Sequence, residues 1–272
     1  MTVHTHKSSD GEPITQEGRL ASKITRELMG YTISIYECAD GVLELCCSGF
    51  AVKYNERYFI FTAAHAIDVL IQKGCEIRFG FKGQTRALQI INTISTNMDD
   101  DSPTSDLDIG AWEVVLHPKY DRALKEVAVP SEYFVALDET VDSQSLFVCG
   151  FPLSINKHSR RETLHGLKPL SGAAYSYHSA EDKEFDLRTI NKSKSKHIAI
   201  RWEDRDVQKL KITHPRGLSG SPVWGIYANE TGFIARVAGI FIEFHSGRGI
   251  AVCTKVTIML MILDWVRNQE KI

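Results

Sequence analysis

Short segments of alternating apolar and polar residues recur along this chain, for example at 31–36, 76–79 and 197–202. Successive side chains of an extended strand point to opposite faces, so this alternation predicts strands with one buried face. Turn residues bound the segments, and helical patterns are few. Many short strands with few helices favour a mainly β fold made of barrels. With 272 residues, 43% of them hydrophobic, the chain is long enough to bury such a core.

Helical periodicity is confined to the two ends of the chain. The polar residues 1–14 are predicted to be disordered, and 15–29 is predicted to form an amphipathic helix that Gly30 ends. The sequence leaves three roles open for this helix: packing on the barrel core, docking of a partner protein, or restraint of access to a cleft. A second helix is predicted near the C-terminus, with one apolar face formed by Met259, Ile262, Leu263 and Val266.

A histidine and an aspartate each lie at the end of a predicted strand. Segment 49–62 predicts two strands joined by a polar turn, and a small-residue turn then ends on His65. Asp108 lies at the mouth of an apolar strand, where a largely buried carboxylate needs a hydrogen-bond donor. An imidazole N–H is a natural donor, so we predict that Asp108 fixes the tautomer of His65. Asp106 is the competing candidate.

The segment Gly217-Leu218-Ser219-Gly220-Ser221-Pro222 places one serine between glycines. Glycine permits backbone angles that a β-carbon resists, so the N–H groups of Gly217 and Ser219 can point into one small space. Two converging donors form an oxyanion hole, and each is worth about 2.7–4 kcal/mol in acyl transfer. Glycine-rich serine turns are usually structural, so the motif needs a base nearby. With His65 as that base, Ser219 is predicted to be a nucleophile.

The three candidates occur in the order His65, Asp108, Ser219. The α/β-hydrolases have the order Ser, Asp, His and subtilisins have Asp, His, Ser, whereas chymotrypsin-type enzymes have the order found here. The hydrolase elbow also needs a glycine two residues after the nucleophile. Ser221 stands there, and Pro222 disfavours the helix that should follow. Order and local sequence therefore favour chymotrypsin-type chemistry.

The chain resembles trypsin-like serine proteases of the chymotrypsin fold, and within them the bacterial intracellular-type peptidases more than the animal digestive enzymes. Matching segments occur in the same order at 48–52, 62–65, 108–111, 148–152, 217–222 and 237–240. The resemblance implies two antiparallel six-stranded β-barrels with the triad in the cleft between them. It divides the chain into a tail and helix at 1–30, a first barrel at 31–140 and a second barrel with the C-terminal helix at 141–272.

Two positions depart from the digestive members of that family. Those members have an aspartate just before the nucleophile, which pairs with a newly cleaved N-terminal amine, and here that residue is Leu218. No Ile-Val-Gly-Gly-like start is present, so activation by that cleavage is not expected. Ala66 replaces their cysteine after the catalytic histidine. We therefore predict that something other than a freed N-terminus orders the oxyanion hole.

The resemblance also implies which residues border the primary substrate pocket, namely Thr213, His214, Phe241, Ile242, Glu243 and Phe244. Position 213 is not an aspartate, so a preference for arginine or lysine is not supported. We predict a small or apolar residue on the acyl side of the cleaved bond. Loops within 154–196 are expected to border the cleft, and the basic residues at 157–161 and 192–196 are interpreted as solvated loop surface, with docking of an acidic partner as the alternative.

Charge, hydropathy and cysteine spacing exclude other classes. A net charge of −2 gives no basic footprint for nucleic acid, and no segment has the ~20 apolar residues that span a membrane. The six cysteines fit no zinc spacing, and the acidic stretch 97–105 lacks the pattern of a calcium loop, so neither metal nor cofactor is predicted. Residues 1–13 lack the apolar stretch that secretion needs, which favours reduced thiols in the cytoplasm.

The predicted function is a cytoplasmic serine endopeptidase that cuts protein or peptide substrates through an acyl-enzyme on Ser219. Because no activation cleavage restrains it, its specificity is expected to be narrow or set by a regulatory partner protein. The alternative is a binding module that keeps a protease fold without catalysis. The presence of all three candidate residues favours the enzyme.

Overall fold

The computed structural model describes residues 16–81, 84–96, 105–116, 121–134, 145–153, 156, 161–162, 175–179, 181–202, 215–229 and 232–269. Within these residues, fifteen strands and four α-helices make a mainly β architecture of two sheets. Several sequence predictions lie outside the described residues: the disordered tail 1–14, the acidic loop at 97–104, the pocket residues Thr213 and His214, and much of 154–180.

The first sheet contains β1 (Thr32–Ala39), β2 (Val42–Tyr54), β3 (Arg57–Ala63), β4 (Glu76–Phe81), β5 (Gln84–Arg86), β6 (Gln89–Ser95), β7 (Ile109–Val115), β8 (Ala128–Val129) and β10 (Arg161–Glu162). Seven of these strands follow one another in the order β5-β4-β1-β2-β3-β7-β6. The two-residue strands β8 and β10 both pair with β2.

The second sheet contains β9 (Ser145–Gly150), β11 (Tyr175–Ser179), β12 (His197–Arg201), β13 (Pro222–Asn229), β14 (Gly232–His245) and β15 (Ile250–Lys255), in the order β11-β9-β13-β14-β15-β12. Among the described strands, every pairing is antiparallel except that of β8 with β2. The strands predicted at 31–36, 76–79 and 197–202 all overlap observed strands.

Two hairpin turns set the register of the first sheet. Asn55 and Glu56 have φ angles of 48° and 62°, and this pair joins β2 to β3 as the sequence predicted. Asp40 and Gly41, with φ angles of 50° and 75°, join β1 to β2 in the same way. Two-residue turns with positive φ match the twist of the flanking strands, so they close hairpins without splaying them.

The core of the molecule joins the two sheets. One cluster of buried side chains includes Phe50 and Phe61 of the first sheet, Trp224 and Ile240 of the second, and Met259 of the C-terminal helix. Each sheet also has its own apolar cluster. Because the shared cluster draws on both halves of the chain, burial of apolar surface holds the two sheets together.

The helices are α1 (Gln16–Met29), α2 (Ala64–Lys73), α3 (Asp121–Val127) and α4 (Val256–Gln269). The terminal helices agree with the sequence prediction, since α1 ends at Met29, immediately before Gly30, and α4 buries Met259, Leu263 and Val266. The side chain of Leu28 is buried in the shared core, and α1 lies against β9 and β11. Among the described helices, none has the length and hydropathy that a bilayer crossing requires.

The helix α2 was not predicted. The sequence interpretation expected a turn that ends on His65, but a ten-residue helix begins at Ala64. It buries Ala64, Ile67 and Leu70 at helical spacing and ends at Gly74, whose φ of 61° is the left-handed conformation typical of a helix C-terminus. His65 therefore lies in the first turn of a helix, where its backbone N–H needs a partner from outside the helix.

Candidate active site

Asp108 contacts both the backbone and the ring of His65. The pairing of Ala63 with Ile109 in β3 and β7 brings the two residues side by side at the same edge of the sheet. The His65 N–H donates to Asp108 Oδ1 at 2.8 Å, and His65 Nδ1 lies 2.6 Å from Asp108 Oδ2. A carboxylate only accepts, so Nδ1 carries the proton and Nε2 of the neutral ring is left with a free lone pair.

The carboxylate and the imidazole differ in exposure. The Asp108 side chain is 14% exposed, whereas that of His65 is 47% exposed. The anion is therefore shielded and held, and the ring it orients faces solvent. Asp108 also has a φ of 48°, a left-handed conformation that aspartate tolerates better than most residues. Its carbonyl accepts a bond of 3.1 Å from the N–H of Ala64, which fixes the start of α2.

Opposing effects act on the protonation of His65. Burial is the largest and lowers its pKa, but the hydrogen bond and charge of Asp108, with smaller contributions from the charges of Asp68 and Glu243, leave the pKa raised above its ordinary value. A raised pKa makes Nε2 a stronger proton acceptor than a free imidazole. The ring can therefore take a proton from a nearby hydroxyl and hold it as an imidazolium.

Asp106, the competing aspartate, does not contact His65. Its carboxylate lies 3.1 and 3.3 Å from the Lys196 ammonium, and its carbonyl accepts from the Lys192 ammonium at 2.8 Å. The structure thus brings Asp108, and not Asp106, to the histidine.

The loop that carries Ser219 is bonded to both sheets. The Ser219 carbonyl accepts from the Ser48 N–H at 3.0 Å, and the Ser48 hydroxyl donates to the Gly217 carbonyl at 2.7 Å. On the other side, the Gly220 N–H donates to the Phe241 carbonyl at 2.8 Å. The side chain of Ser219 is partly exposed, whereas Ser221 is fully buried. The serine loop therefore lies on β2 and β14 at once.

Two glycines of this loop have positive φ angles, 89° at Gly217 and 83° at Gly220. A β-carbon at Gly220 would lie 2.1 Å from Thr62 Oγ1, and one at Gly217 would lie 2.5 Å from the Phe151 carbonyl oxygen. Neither distance is possible for a real side chain, so both positions require glycine on conformational and steric grounds. The contact with Thr62 also places the loop directly against the strand that leads into His65.

The N–H groups of the loop divide into two sets. Those of Leu218, Gly220 and Ser221 donate to backbone carbonyls at 2.8–3.0 Å. In the part of the chain that the structure describes, the N–H groups of Gly217 and Ser219 donate to no backbone carbonyl. Two unused N–H donors two residues apart, in a turn bounded by glycines of positive φ, can together bind an anion or an oxyanion.

Leu218 lies between these two donors and is fully buried. Its side chain packs in the apolar cluster of the second sheet with Leu146, Val148, Val223 and Cys253. Burial of a leucine contributes about 1.5–3 kcal/mol. An apolar anchor therefore holds the segment at the position where the digestive enzymes have an aspartate.

The interpretation of 192–196 as solvated loop surface is wrong for two of its lysines. The side chain of Lys192 is only 11% exposed, and the ammoniums of Lys192 and Lys196 both bind Asp106. His197 is also buried, with Nε2 3.0 Å from the Asp106 carbonyl oxygen. These contacts join residues 86 to 91 positions apart, so nothing local in a lysine-rich sequence signals them.

The proposed pocket residues differ in how much surface they present. Phe241 and Ile242 are 2% and 1% exposed, and Phe241 packs on Trp202 with ring centroids 6.2 Å apart. Glu243 and Phe244 are partly exposed. The Glu243 Oε1 atom lies 3.4 Å from Lys192 Nζ and 3.3 Å from His245 Nε2. On β14, then, Glu243 and Phe244 present more surface than the two residues before them.

The remaining candidate ligands are dispersed. Across the described residues, no three His, Cys, Asp or Glu side chains are grouped so that they could hold a metal ion. All six cysteines are described, and none of them forms a disulfide bond. Burial raises the pKa of the Cys47 thiol to about 12, so this thiol stays protonated and unreactive at neutral pH.

Comparison with known proteins identifies the fold. No protein-family model matches the chain, and no curated protein matches it. Among solved structures 467 chains match, one of which is human heparin binding protein. It is 14% identical, with a TM-score of 0.53 over 88% of this chain and 92% of that chain. The fold is the chymotrypsin-like two-barrel fold, as the sequence predicted.

Proposed function

We propose that this protein is a serine endopeptidase of the trypsin-like type, similar to the bacterial intracellular peptidases, which hydrolyses protein substrates through an acyl-enzyme on Ser219. The observation that carries the proposal is the double contact of Asp108 with the N–H and Nδ1 of His65. This contact fixes the ring so that Nε2 is the acceptor, which is what a general base needs. The unused N–H groups of Gly217 and Ser219 support the same chemistry from the other half of the chain.

The proposed reaction has two steps. Ser219 Oγ attacks the carbonyl carbon of the substrate as its proton passes to His65 Nε2, and the N–H groups of Gly217 and Ser219 stabilise the oxyanion. The imidazolium then gives its proton to the leaving amine, and the C–N bond breaks. A water molecule attacks the ester, with His65 again as base, and releases the carboxylic acid and free Ser219. Asp108 stays ionised and stabilises the imidazolium in both steps.

The proposed enzyme needs no activation cleavage. Burial of Leu218 replaces the ion pair by which a freed N-terminal amine orders the oxyanion hole in the digestive enzymes. A cytoplasmic protease without that control must be restrained in another way, by narrow specificity or by a partner protein. For the residue on the acyl side of the cleaved bond, a small or apolar side chain stays our prediction.

Hydrolysis of a peptide library tests this proposal. The purified chain is incubated with fluorescence-quenched peptides that vary in the residue on the acyl side, and mass spectrometry locates each cleaved bond. We expect cleavage after small or apolar residues and none by Ser219→Ala. Efficient cleavage only after lysine or arginine would show that the specificity prediction is wrong, although the enzyme would stand.

A second candidate is a binding module that keeps the protease fold. It is favoured by the name of one similar structure, human heparin binding protein, because that name describes binding and not hydrolysis. Catalysis and binding give opposite results in the library experiment. A chain that cleaves no peptide, alone or with added protein partners, would support the binding module.

A further inference from the structure

Three consecutive carbonyls lead into the β7 strand, and each of them has a hydrogen-bond donor. The Asp106 carbonyl accepts from Lys192 Nζ at 2.8 Å and lies 3.0 Å from His197 Nε2. The Leu107 carbonyl accepts from the hydroxyl of Thr254. The Asp108 carbonyl accepts from the N–H of Ala64. The first two carbonyls are therefore held by residues from the second half of the chain.

The protonation of His197 follows from its surroundings. Burial lowers its pKa most, and the charge of Lys192 lowers it further, whereas the hydrogen bond with the Asp106 carbonyl acts in the opposite direction, and the net effect is a lowered pKa. The ring is therefore neutral at pH 7. Nδ1 lies 3.2 Å from the Ser193 carbonyl oxygen and 3.3 Å from the Ser193 N–H, and that carbonyl already accepts from the backbone N–H of His197 at 2.8 Å. We therefore assign the proton of the neutral ring to Nε2, which lies closer to its carbonyl, 3.0 Å from that of Asp106, so that Nδ1 accepts from the Ser193 N–H. In this tautomer both ring nitrogens are satisfied.

The side chain of Lys192 is largely buried, so its contacts are not incidental contacts at the surface. A shielded ammonium is costly unless it is paired and hydrogen-bonded. Lys192 meets both conditions, because it donates to the Asp106 carbonyl and lies 3.4 Å from the Glu243 carboxylate. It therefore connects the segment before Asp108 to β14, the strand proposed to border the substrate.

The segment needs such support because Asp108 adopts a left-handed φ of 48°. A non-glycine residue in this region persists where the surrounding structure over-determines its conformation. The donors on the carbonyls of Asp106 and Leu107 fix the two preceding peptide groups, and thereby the direction in which the Asp108 carboxylate leaves the backbone.

We propose that Lys192, His197 and Thr254 are positioning residues that hold the 106–108 segment so that Asp108 meets His65. None of them needs to touch the substrate. The inference rests on the proposed role of Asp108 in catalysis, and it adds that the second half of the chain, which supplies the nucleophile, also aligns the acid–base pair of the first half.

Lys192→Met tests the proposal, because methionine keeps much of the lysine stem and removes the ammonium. The rate at which a fluorophosphonate probe phosphonylates Ser219, with loss of fluoride, is expected to fall about 10- to 100-fold, as for a misplaced catalytic group. The pKa of His65, measured by NMR titration, is expected to fall because its bond to Asp108 loosens. Loss of a positive charge alone would raise that pKa, so the direction separates positioning from electrostatics.

Lys194→Met is the matched control. Lys194 lies on the same loop and its replacement removes the same charge, but it is exposed and its ammonium contacts the Lys183 carbonyl rather than the 106–108 segment. Both readouts should match those of the wild type. In an Asp108→Asn background, Lys192→Met should cause less than about a twofold further loss, because residues that act through one another are not additive.

An unchanged or raised His65 pKa in Lys192→Met, or a full additional loss in the Asp108→Asn background, would overturn the proposal. Should Lys192→Met not fold, Thr254→Val removes one donor at constant shape, and the same fall in pKa is expected. The titration needs no catalysis, so a wild-type chain that fails to react with the probe would refute the proposed function and still leave the positioning test decisive.

Discussion

The His65–Asp108 pair and the Ser219 loop reach their geometry by different means. In the first region, a buried carboxylate binds a ring nitrogen and a backbone N–H, so side-chain chemistry sets the arrangement. In the second, two glycines with positive φ turn the chain so that its own N–H groups stay free. One region therefore depends on which functional groups are present, and the other on where side chains are absent.

This difference predicts different responses to substitution. An isosteric change that alters only hydrogen bonding should damage the first region and leave its fold intact. In the second region, a single added carbon atom at a glycine should be enough to disturb the geometry of the loop. Single substitutions in each region, each with a matched control, separate these two responses.

Asp108→Asn should lower the rate of peptide hydrolysis by about 10⁴-fold, because an amide no longer selects the tautomer that leaves Nε2 as acceptor. Thermal unfolding should show a folded protein. Asp106→Asn is the control, since it leaves the Asp106 carbonyl, which contacts Lys192 and His197, unaffected and weakens only the ion pair with Lys196. A large loss in Asp106→Asn with a small one in Asp108→Asn would reverse the assignment.

Gly217→Ala should lower the rate by about 10²–10³-fold, because the turn must shift and one oxyanion donor moves with it. Its added β-carbon would meet the Phe151 carbonyl oxygen at 2.5 Å. Gly74→Ala is the control, as Gly74 has a φ of 61° but no atom within 4 Å of the added carbon. It should cost about 1–2 kcal/mol of unfolding free energy from backbone strain, with unchanged kcat/KM.

Leu218→Ala should lower both stability and acylation, because the leucine anchors the segment between the two free N–H groups. The unfolding free energy should fall by about 2–5 kcal/mol in urea titrations. Leu146→Ala removes a side chain from the same cluster. Its stability loss should be similar, but the acylation rate of its folded fraction should be unchanged, and equal acylation losses in both variants would argue against a local anchor.

The smallest expected effect concerns pH. His65 must be neutral to act as base, so kcat/KM should rise with pH as the ring loses its proton. Because the pKa of His65 is raised, the midpoint of this rise should lie above the ordinary histidine pKa of about 6.5. Asp68→Asn removes one charge that raises the pKa of His65, so the midpoint of the rise should move to lower pH. The charge of Glu56 is not among those acting on His65, so Glu56→Gln should leave the midpoint unchanged.

The same shift has a consequence for stability. A histidine whose pKa is raised on folding stabilises the folded state below its unfolded pKa, and this contribution disappears as pH rises through the folded value. Unfolding free energies of the wild type should therefore exceed those of Asp108→Asn by more at pH 5 than at pH 9. A difference that does not depend on pH would mean that the Asp108 bond does not discriminate between the two forms of the ring.

Local patterns in the sequence were enough to predict much of the fold. Alternation identified strands, Asn55-Glu56 identified a hairpin turn, and helical periodicity identified α1 and α4. The helix α2 was missed although Ala64, Ile67 and Leu70 have helical spacing, because the motif that ends on His65 was interpreted as a turn.

The contacts around Asp106 could not be predicted in this way. Lys192, Lys196 and His197 contact a segment 86 to 91 residues earlier in the chain. A lysine-rich stretch in solvent and one whose partly buried lysines bind an aspartate have the same composition. Only the tertiary structure distinguishes them, and the same is true of the burial of Leu218.

Covalent labelling by a fluorophosphonate, followed by mass spectrometry of the labelled peptide, tests directly whether Ser219 is the nucleophile. The wild type should carry one label, on Ser219, and Ser219→Ala should carry none. Ser221→Ala should still react, since Ser221 is buried and takes no part in the proposed reaction. A wild-type chain that stays unlabelled, alone and with added partner proteins, or a Ser219→Ala variant that still reacts, would contradict the account.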